Sequence, residues 1–99
     1  MVTRKIIRDD LDQVIDENRL GIVKDKQEHM DLLIAKIDEE LLELKETNYS
    51  DATEFADVIE VIVAIAKLND IAEQTIDMER LHKECSNGIF DKGLVLNDI

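Results

Sequence analysis

An all-α fold is predicted: an antiparallel bundle of about four helices, oligomeric, with an ordered C-terminal arm. Three observations predict it. The 99-residue chain has no Pro and three Gly, and it is rich in Leu, Glu and Lys, which are good helix formers. Apolar residues recur at spacings of three and four, the mark of an amphipathic helix. One stretch, EFADVIEVIVAIAKL from Glu54 to Leu68, is apolar at almost every position; Asp57, Glu60 and Lys67 are its exceptions beyond Glu54. Its length favours a helix over a strand, although it holds many β-branched residues. It is too short and too charged to span a membrane, which takes about 20 apolar residues.

The chain is long enough for one domain, residues 1–99, with a small aliphatic core. Residues 3–8, TRKIIR, are basic and apolar, and suit either an extended arm or the lead into a helix. Ile7, Leu11, Val14 and Ile15 then follow the i, i+4, i+7, i+8 pattern of a first helix, with Asp9 or Asp10 at its N-terminal end. It ends near Asn18 to Gly21, and residues 19–26 read as a loop. The second helix runs from about Lys26 to Thr47. Met30, Leu33, Ile37, Leu41 and Leu44 form its core stripe, with Lys36, Glu40 and Glu43 on the flank.

Asn48, Tyr49 and Ser50 make a short connection, so helices two and three form an antiparallel hairpin. Ser50 or Asp51 caps the third helix, and Asp51 with Glu54 has capping-box spacing. On that helix Glu54, Asp57, Val61, Ala64 and Leu68 share one stripe. A carboxylate facing a core is costly unless it is paired or bound to a cation. Asp70 is a cap for a fourth helix, whose irregular apolar face holds Ile71, Met78, Leu81 and Cys85. Asn87-Gly88 ends it. The tail from Ile89 contains Gly93 and the apolar run Leu94 to Leu96.

The net charge is −12. This argues against a nucleic-acid polymer as partner, since such partners need a basic face. It leaves open a small phosphate ligand carried by a metal ion. The single Cys85 suits a reducing, cytoplasmic location, and the start, MVTRKIIRDD, lacks the features of a signal peptide. The third helix is apolar nearly all round and needs enclosure on every side. A homodimer or homotetramer is therefore expected.

Two acid pairs carry the chemistry. Glu40-x-x-Glu43 places two carboxylates on one helix face, about 5–6 Å apart at Cβ, and Glu54-x-x-Asp57 does the same on the next helix. Both pairs lie toward the turn of the hairpin, so four carboxylates can converge. Oxygen-rich sites of this kind suit Mg²⁺ or Mn²⁺, and Mg²⁺ commonly takes its remaining ligands from water and substrate phosphates. Taken singly, each pair reads as solvated surface. Asp57 is the hardest to read so, because Val61 and Ala64 share its stripe. Glu79-x-x-His82 has the spacing of a di-iron carboxylate bundle, on a helix face of polar surroundings.

These residues resemble the MazG-like all-α nucleoside triphosphate pyrophosphohydrolases, in particular the small phosphoribosyl-ATP-pyrophosphohydrolase-like branch. The family's EExxE and ExxD motifs appear as Glu39-Glu40-Leu41-Leu42-Glu43 and Glu54-Phe55-Ala56-Asp57. The branch's VRDKI-like opening appears as Ile7-Arg8-Asp9-Asp10-Leu11, and its GGFxKGIVL-like close as the segment from Gly88 to Leu96. The departures are Asp10 in place of Lys, Ile89 in place of Gly and Asn87 in place of Arg. The resemblance implies that Glu40, Glu43, Glu54 and Asp57 hold Mg²⁺, with Mn²⁺ an alternative. It implies hydrolysis of a nucleoside triphosphate at the α–β anhydride to the monophosphate and pyrophosphate. Glu39 or Glu60 would orient the water, and Arg8, Lys36 and Lys92 are candidate phosphate contacts. The altered basic positions fit an alternative, a catalytically silent helical interaction or regulatory module of the same fold.

Overall fold

The computed structural model describes residues 4–97. The readings made for Met1 to Thr3, at the start of the basic segment, and for Asp98 and Ile99, at the end of the C-terminal arm, lie outside the described residues. The fold is all-α. Among the described residues there are three α-helices, α1 (Lys26–Glu46), α2 (Ala52–Leu68) and α3 (Glu73–Asn87), and no strand. The expected first helix is absent. Two short 3₁₀ turns, Asp9–Gln13 and Glu17–Arg19, stand in its place. Acids crowd that stretch, and the chain is fastened just before it: Arg4 and Lys5 pair with Glu28 and Glu39 of α1, and Arg8 with Asp57 of α2.

Helix α1 begins where its N-terminal donors find partners. The Glu28 amide donates to Asp25 Oδ1 at 2.8 Å, and the Lys24 amide donates to Glu28 Oε1 at 2.9 Å. This reciprocal pattern extends a capping box by one residue. The helix ends in a Schellman motif. The Tyr49 amide donates to the Leu44 carbonyl and the Asn48 amide to the Lys45 carbonyl, with Asn48 in the left-handed region at φ 58°. Such a turn satisfies the last carbonyls and reverses the chain at once. Helix α2 ends the same way: the Ile71 amide donates to the Ala66 carbonyl and the Asp70 amide to the Lys67 carbonyl. Asp70, at φ 62°, thus closes α2 and does not cap α3. The residue before α3 is Ala72, which offers no side-chain cap.

α1 and α2 form the expected antiparallel hairpin. Near its open end the Asn69 side-chain amide donates to Met30 Sδ at 3.4 Å; toward the turn, Glu40 lies by Asp57. The buried apolar residues are Leu33, Leu44, Val61 and Val63, each contributing roughly 1.5–3 kcal/mol by leaving water. One correction to the expected stripe is decisive for the site. Leu41 is exposed, while Glu40 is buried. At about 100° per residue, positions 33, 37, 40 and 44 share one face, and that is the face α2 covers.

Much apolar surface stays bare in the single chain. Phe55, Ile59 and Ile62 line the side of α2 opposite Asp57, Val61 and Ala64, and all three are exposed. Ile71, just before α3, and Met78, Leu81 and Cys85 on α3 are exposed as well, so Cys85 is not core. Residues 89–97 form no helix or strand, and Phe90, Leu94, Val95 and Leu96 are exposed. The chain exposes 8676 Å², against roughly 5,800 Å² for a self-contained protein of its 11.4 kDa mass. Its radius of gyration is 17.1 Å, against about 13 Å for a compact domain of this length. Among the described residues, no helix is long and apolar enough to cross a membrane.

Candidate metal centre

Glu40 anchors the candidate centre from α1. It is 5% exposed. Lys36, one turn earlier, reaches its Oε1 at 3.2 Å, but its Oε2 is buried with no hydrogen-bond partner among the described residues. From α2 come Glu54 and Asp57. Asp51 caps this helix by accepting from the Thr53 amide at 2.9 Å, and Glu54 does not reach back to complete a capping box. Its Oε2 is likewise buried and without a partner. One carboxylate oxygen each from Glu40, Glu54 and Asp57 lies within 4.8 Å of the others. Two oxygens on opposite sides of one Mg²⁺ would be about 4.2 Å apart. The donor set is all oxygen and acidic, the two orphaned oxygens need a cation or a donor, and the residues fit Mg²⁺ or Mn²⁺.

The fourth expected ligand, Glu43, is half-buried at the edge of this group and outside the set of three. It still feels the cluster. Repulsion from Glu40, then burial, holds its carboxyl above the usual range. The Glu54 carboxyl is also raised, first by burial and then by repulsion from Asp57 and Glu40.

Basic side chains surround the acids. Arg8 donates to Asp57 Oδ1 at 2.6 Å, and Lys5 donates to Glu39 Oε1 at 2.7 Å. Lys36 also lies 3.5 Å from Glu39. The hydrogen bond from Lys5, aided by Lys36, keeps the Glu39 carboxyl below its ordinary range. Glu60 is exposed, lies outside the group of three acids, and forms no ion pair among the described residues. Lys92 sits in the exposed tail and makes no ion pair with the cluster. Glu79 and His82 are exposed on α3 and join no group of three metal-ligating side chains among the described residues of the single chain.

The ion pairs lay residues 6–14 along the groove between α1 and α2, leaving a cavity of about 670 Å³ that is open to solvent. Its walls include His29, Leu33, Lys36 and Glu40 from α1, and Asp57, Glu60, Val61 and Ala64 from α2. His29 was not among the site candidates read from the sequence. It is half-buried in the cavity wall. The signal was present in its spacing, since His29, Leu33, Lys36 and Glu40 fall on one helix face.

The raised carboxyls give a pH prediction. A carboxyl titrating higher in the folded chain binds more protons there than in the unfolded chain, so stability falls as pH rises through that window. For Glu43 and Glu54 the window starts at the ordinary 4.5 and extends upward. Glu39 acts in the opposite sense: its contribution is present above its ordinary value and is lost as pH falls below it. In EDTA, raising the pH from about 4.5 toward neutrality is expected to lower the Tm. Mg²⁺ or Glu54→Gln is expected to flatten that slope. Thermal unfolding across this pH range checks it, and an unchanged slope in Glu54→Gln would assign the effect to general charge instead.

Comparison with protein-family models, with curated proteins and with solved structures finds no match for this chain.

Proposed function

We propose that the chain is a MazG-like, Mg²⁺-dependent nucleoside triphosphate pyrophosphohydrolase that splits the α–β anhydride to a nucleoside monophosphate and pyrophosphate. The observation that carries this reading is the convergence of Glu40, Glu54 and Asp57 with two buried, partnerless carboxylate oxygens. Glu40, Glu54 and Asp57 would hold the ion, with Glu43 joining as it is drawn in; Mn²⁺ fits the same ligands. Mg²⁺ bound there supplies charge neutralisation at the phosphates and a more acidic water.

Arg8 and Lys36 stand beside the acids and are placed to take phosphate oxygens once a cation replaces them at the carboxylates. Glu60 is the better candidate for orienting the water, because Glu39 is held by Lys5 and Lys36, which lower its carboxyl below the ordinary range and make it a poorer base. Lys92, exposed in the tail and without an ion pair to the acids, would contribute from a second chain. The bare face of α2 and the excess surface of the single chain support a homodimer or homotetramer in which that face is covered. A cytoplasmic location suits an enzyme of nucleoside triphosphates, and no nucleic-acid polymer is required as partner.

A second reading rests on the same ion pairs. With Arg8 on Asp57 and Lys36 on Glu40, the acids are partly neutralised by the chain itself, as a catalytically silent interaction module would allow. Pyrophosphate release across all common NTPs and dNTPs, with Mg²⁺ and with Mn²⁺, separates the two. The enzyme reading expects monophosphate and pyrophosphate in equal amounts from at least one nucleotide. Silence across the whole panel would overturn it in favour of the module.

A further inference from the structure

Residues 4–14 lie along the groove between α1 and α2 and are held there by side chains. Among the described residues, no backbone hydrogen bond ties this strap to either helix; the Leu11 and Val14 amides donate within it, to the carbonyls of Arg8 and Leu11. Its 3₁₀ turn buries no residue, and Ile6 is half-buried. Three ion pairs do the fastening. Arg4 meets Glu28 at 3.4 Å and donates to the Ile22 carbonyl at 3.1 Å. Lys5 meets Glu39 at 2.7 Å, and Arg8 meets Asp57 at 2.6 Å. The three cationic side chains are 51%, 58% and 59% exposed. Pairs this open to solvent are weak, each shifting an equilibrium by no more than about fivefold.

One of these anchors sits on a carboxylate of the candidate metal centre. Asp57 gives an oxygen to the group with Glu40 and Glu54, so Arg8 and a divalent cation compete for the same negative charge. The rest of the strap does not pull the same way as Arg8. Asp9 and Asp10 follow it and line the same cavity as Glu40, Asp57 and Glu60, which sets like charges against each other. Among the described residues, Arg8 is the only base the strap brings to that cavity. When Mg²⁺ takes Asp57, the guanidinium loses its partner and faces a doubly charged ion. Glu40, Glu54, Asp57 and Glu60, with Lys36 and one such ion, still sum to one net negative charge, so Asp9 and Asp10 are not drawn back. We infer that residues 4–14 form a cation-released strap. Arg8 is the chain's own counter-ion at Asp57, and a divalent cation there evicts it and lifts the strap off the groove. The inference rests on the acid group holding a cation and not on any hydrolysis. An uncovered groove and a free Arg8 then belong to the metal-loaded chain alone.

The test reads the strap directly, by limited trypsin digestion of the full-length chain with mass spectrometry of the products. The Lys5–Ile6 bond enters the protease only when Lys5 has left Glu39 and the strap has lifted. Its cleavage, corrected by a free peptide of residues 1–14, tracks the open population and is expected to be about threefold or more faster in saturating Mg²⁺ than in EDTA. Arg8→Gln removes the counter-ion. It is expected to bind Mg²⁺ about two- to fivefold tighter by calorimetry, and to be cut at the fast rate with or without the ion. Loss of a nearby positive charge would tighten Mg²⁺ in that variant by itself, so Arg4→Gln decides. Arg4 is paired to Glu28, which precedes Glu40 by about 18 Å along α1, beyond the screening length of about 8 Å in physiological salt. Loosening the strap there is expected to tighten Mg²⁺ about twofold or more and to speed cutting in EDTA. Cleavage that is equal or slower in Mg²⁺, or a Mg²⁺ affinity unmoved in Arg4→Gln, overturns the strap, while a Mg²⁺-induced rise in Tm keeps the metal centre. Neither binding nor a rise in Tm overturns both. A chain that shows the full pattern yet releases no pyrophosphate keeps the strap and loses the hydrolase.

Discussion

Glu40→Gln is expected to abolish most turnover and, in chelator, to make the protein more stable. Glu40 is the buried member of the acid group, with one oxygen on Lys36 and the other on nothing. The amide keeps the shape and removes one of three crowded negative charges. It also brings a donor next to Glu54 and Asp57, whose oxygens lie within 4.8 Å. A hydrogen bond to a charged group is worth about 1.5–3 kcal/mol, and each 1 kcal/mol raises Tm by about 4–8 °C in a chain of this size. The loss of one aimed electrostatic group costs roughly 10²–10³ in rate.

Mg²⁺ separates this account from a structural one. An ion at a hundred times its Kd adds about 2.7 kcal/mol to the folded state. Wild type is expected to show that gain and Glu40→Gln to lose most of it. The measurement is thermal unfolding in EDTA and in Mg²⁺, beside pyrophosphate release. A variant less stable than wild type in EDTA, with the same Mg²⁺ shift, would mean that Glu40 serves the fold through Lys36 and holds no ion.

What could be read in the sequence was local chemistry. The boundaries of α2 and the end of α3 follow from Asp51, Asn69 and Gly88, residues whose backbone preferences act within a turn. The hairpin followed from the shortness of its connection, and both α2 acids were placed on the buried stripe with Val61. Two things were not legible. Arg8 meets Asp57 across 49 positions of chain, and no spacing rule foresees an ion pair of that range. The segment read as a first helix has the right period, but Arg8 at its start is held on Asp57 of α2, Arg4 and Lys5 just before it are held on α1, and its backbone turns in two 3₁₀ pieces. The other miss was a choice of face. Periodicity assigns the buried side to the most apolar stripe, which put Leu41 inside and Glu40 on the flank. The fold puts Glu40 inside, where a carboxylate has a use. Asp70 shows a third kind of ambiguity: Asp suits both a helix N-cap and the left-handed position after a helix, and the chain uses the second.

Ile59→Glu is expected to break the assembly and with it the stability of the chain. Ile59 is 59% exposed in the single chain, on the same side of α2 as Phe55 and Ile62. If that face met only water, a charge there would change stability by no more than about 0.5 kcal/mol. If it is the seam between copies, the carboxylate enters an apolar interface without a partner and costs several kcal/mol, on the order of a deleted core side chain. The surplus of exposed surface favours the seam. Each chain shows roughly 2,900 Å² more than a self-contained protein of its mass, about 5,800 Å² for two copies, and obligate homodimer interfaces bury about 2,000–5,000 Å² or more counted over both partners. Wild type is therefore expected to scatter light as a dimer or larger at micromolar concentration, with a Tm that rises with concentration. Ile59→Glu is expected to scatter as a monomer, or to unfold at a Tm lower by 10 °C or more, on the order of 2 kcal/mol for a chain this size. A wild-type monomer with a cooperative melt, or a variant indistinguishable from wild type in both size and Tm, would leave the bare face of α2 to solvent and remove the assembled site in which Lys92 of a second chain takes part.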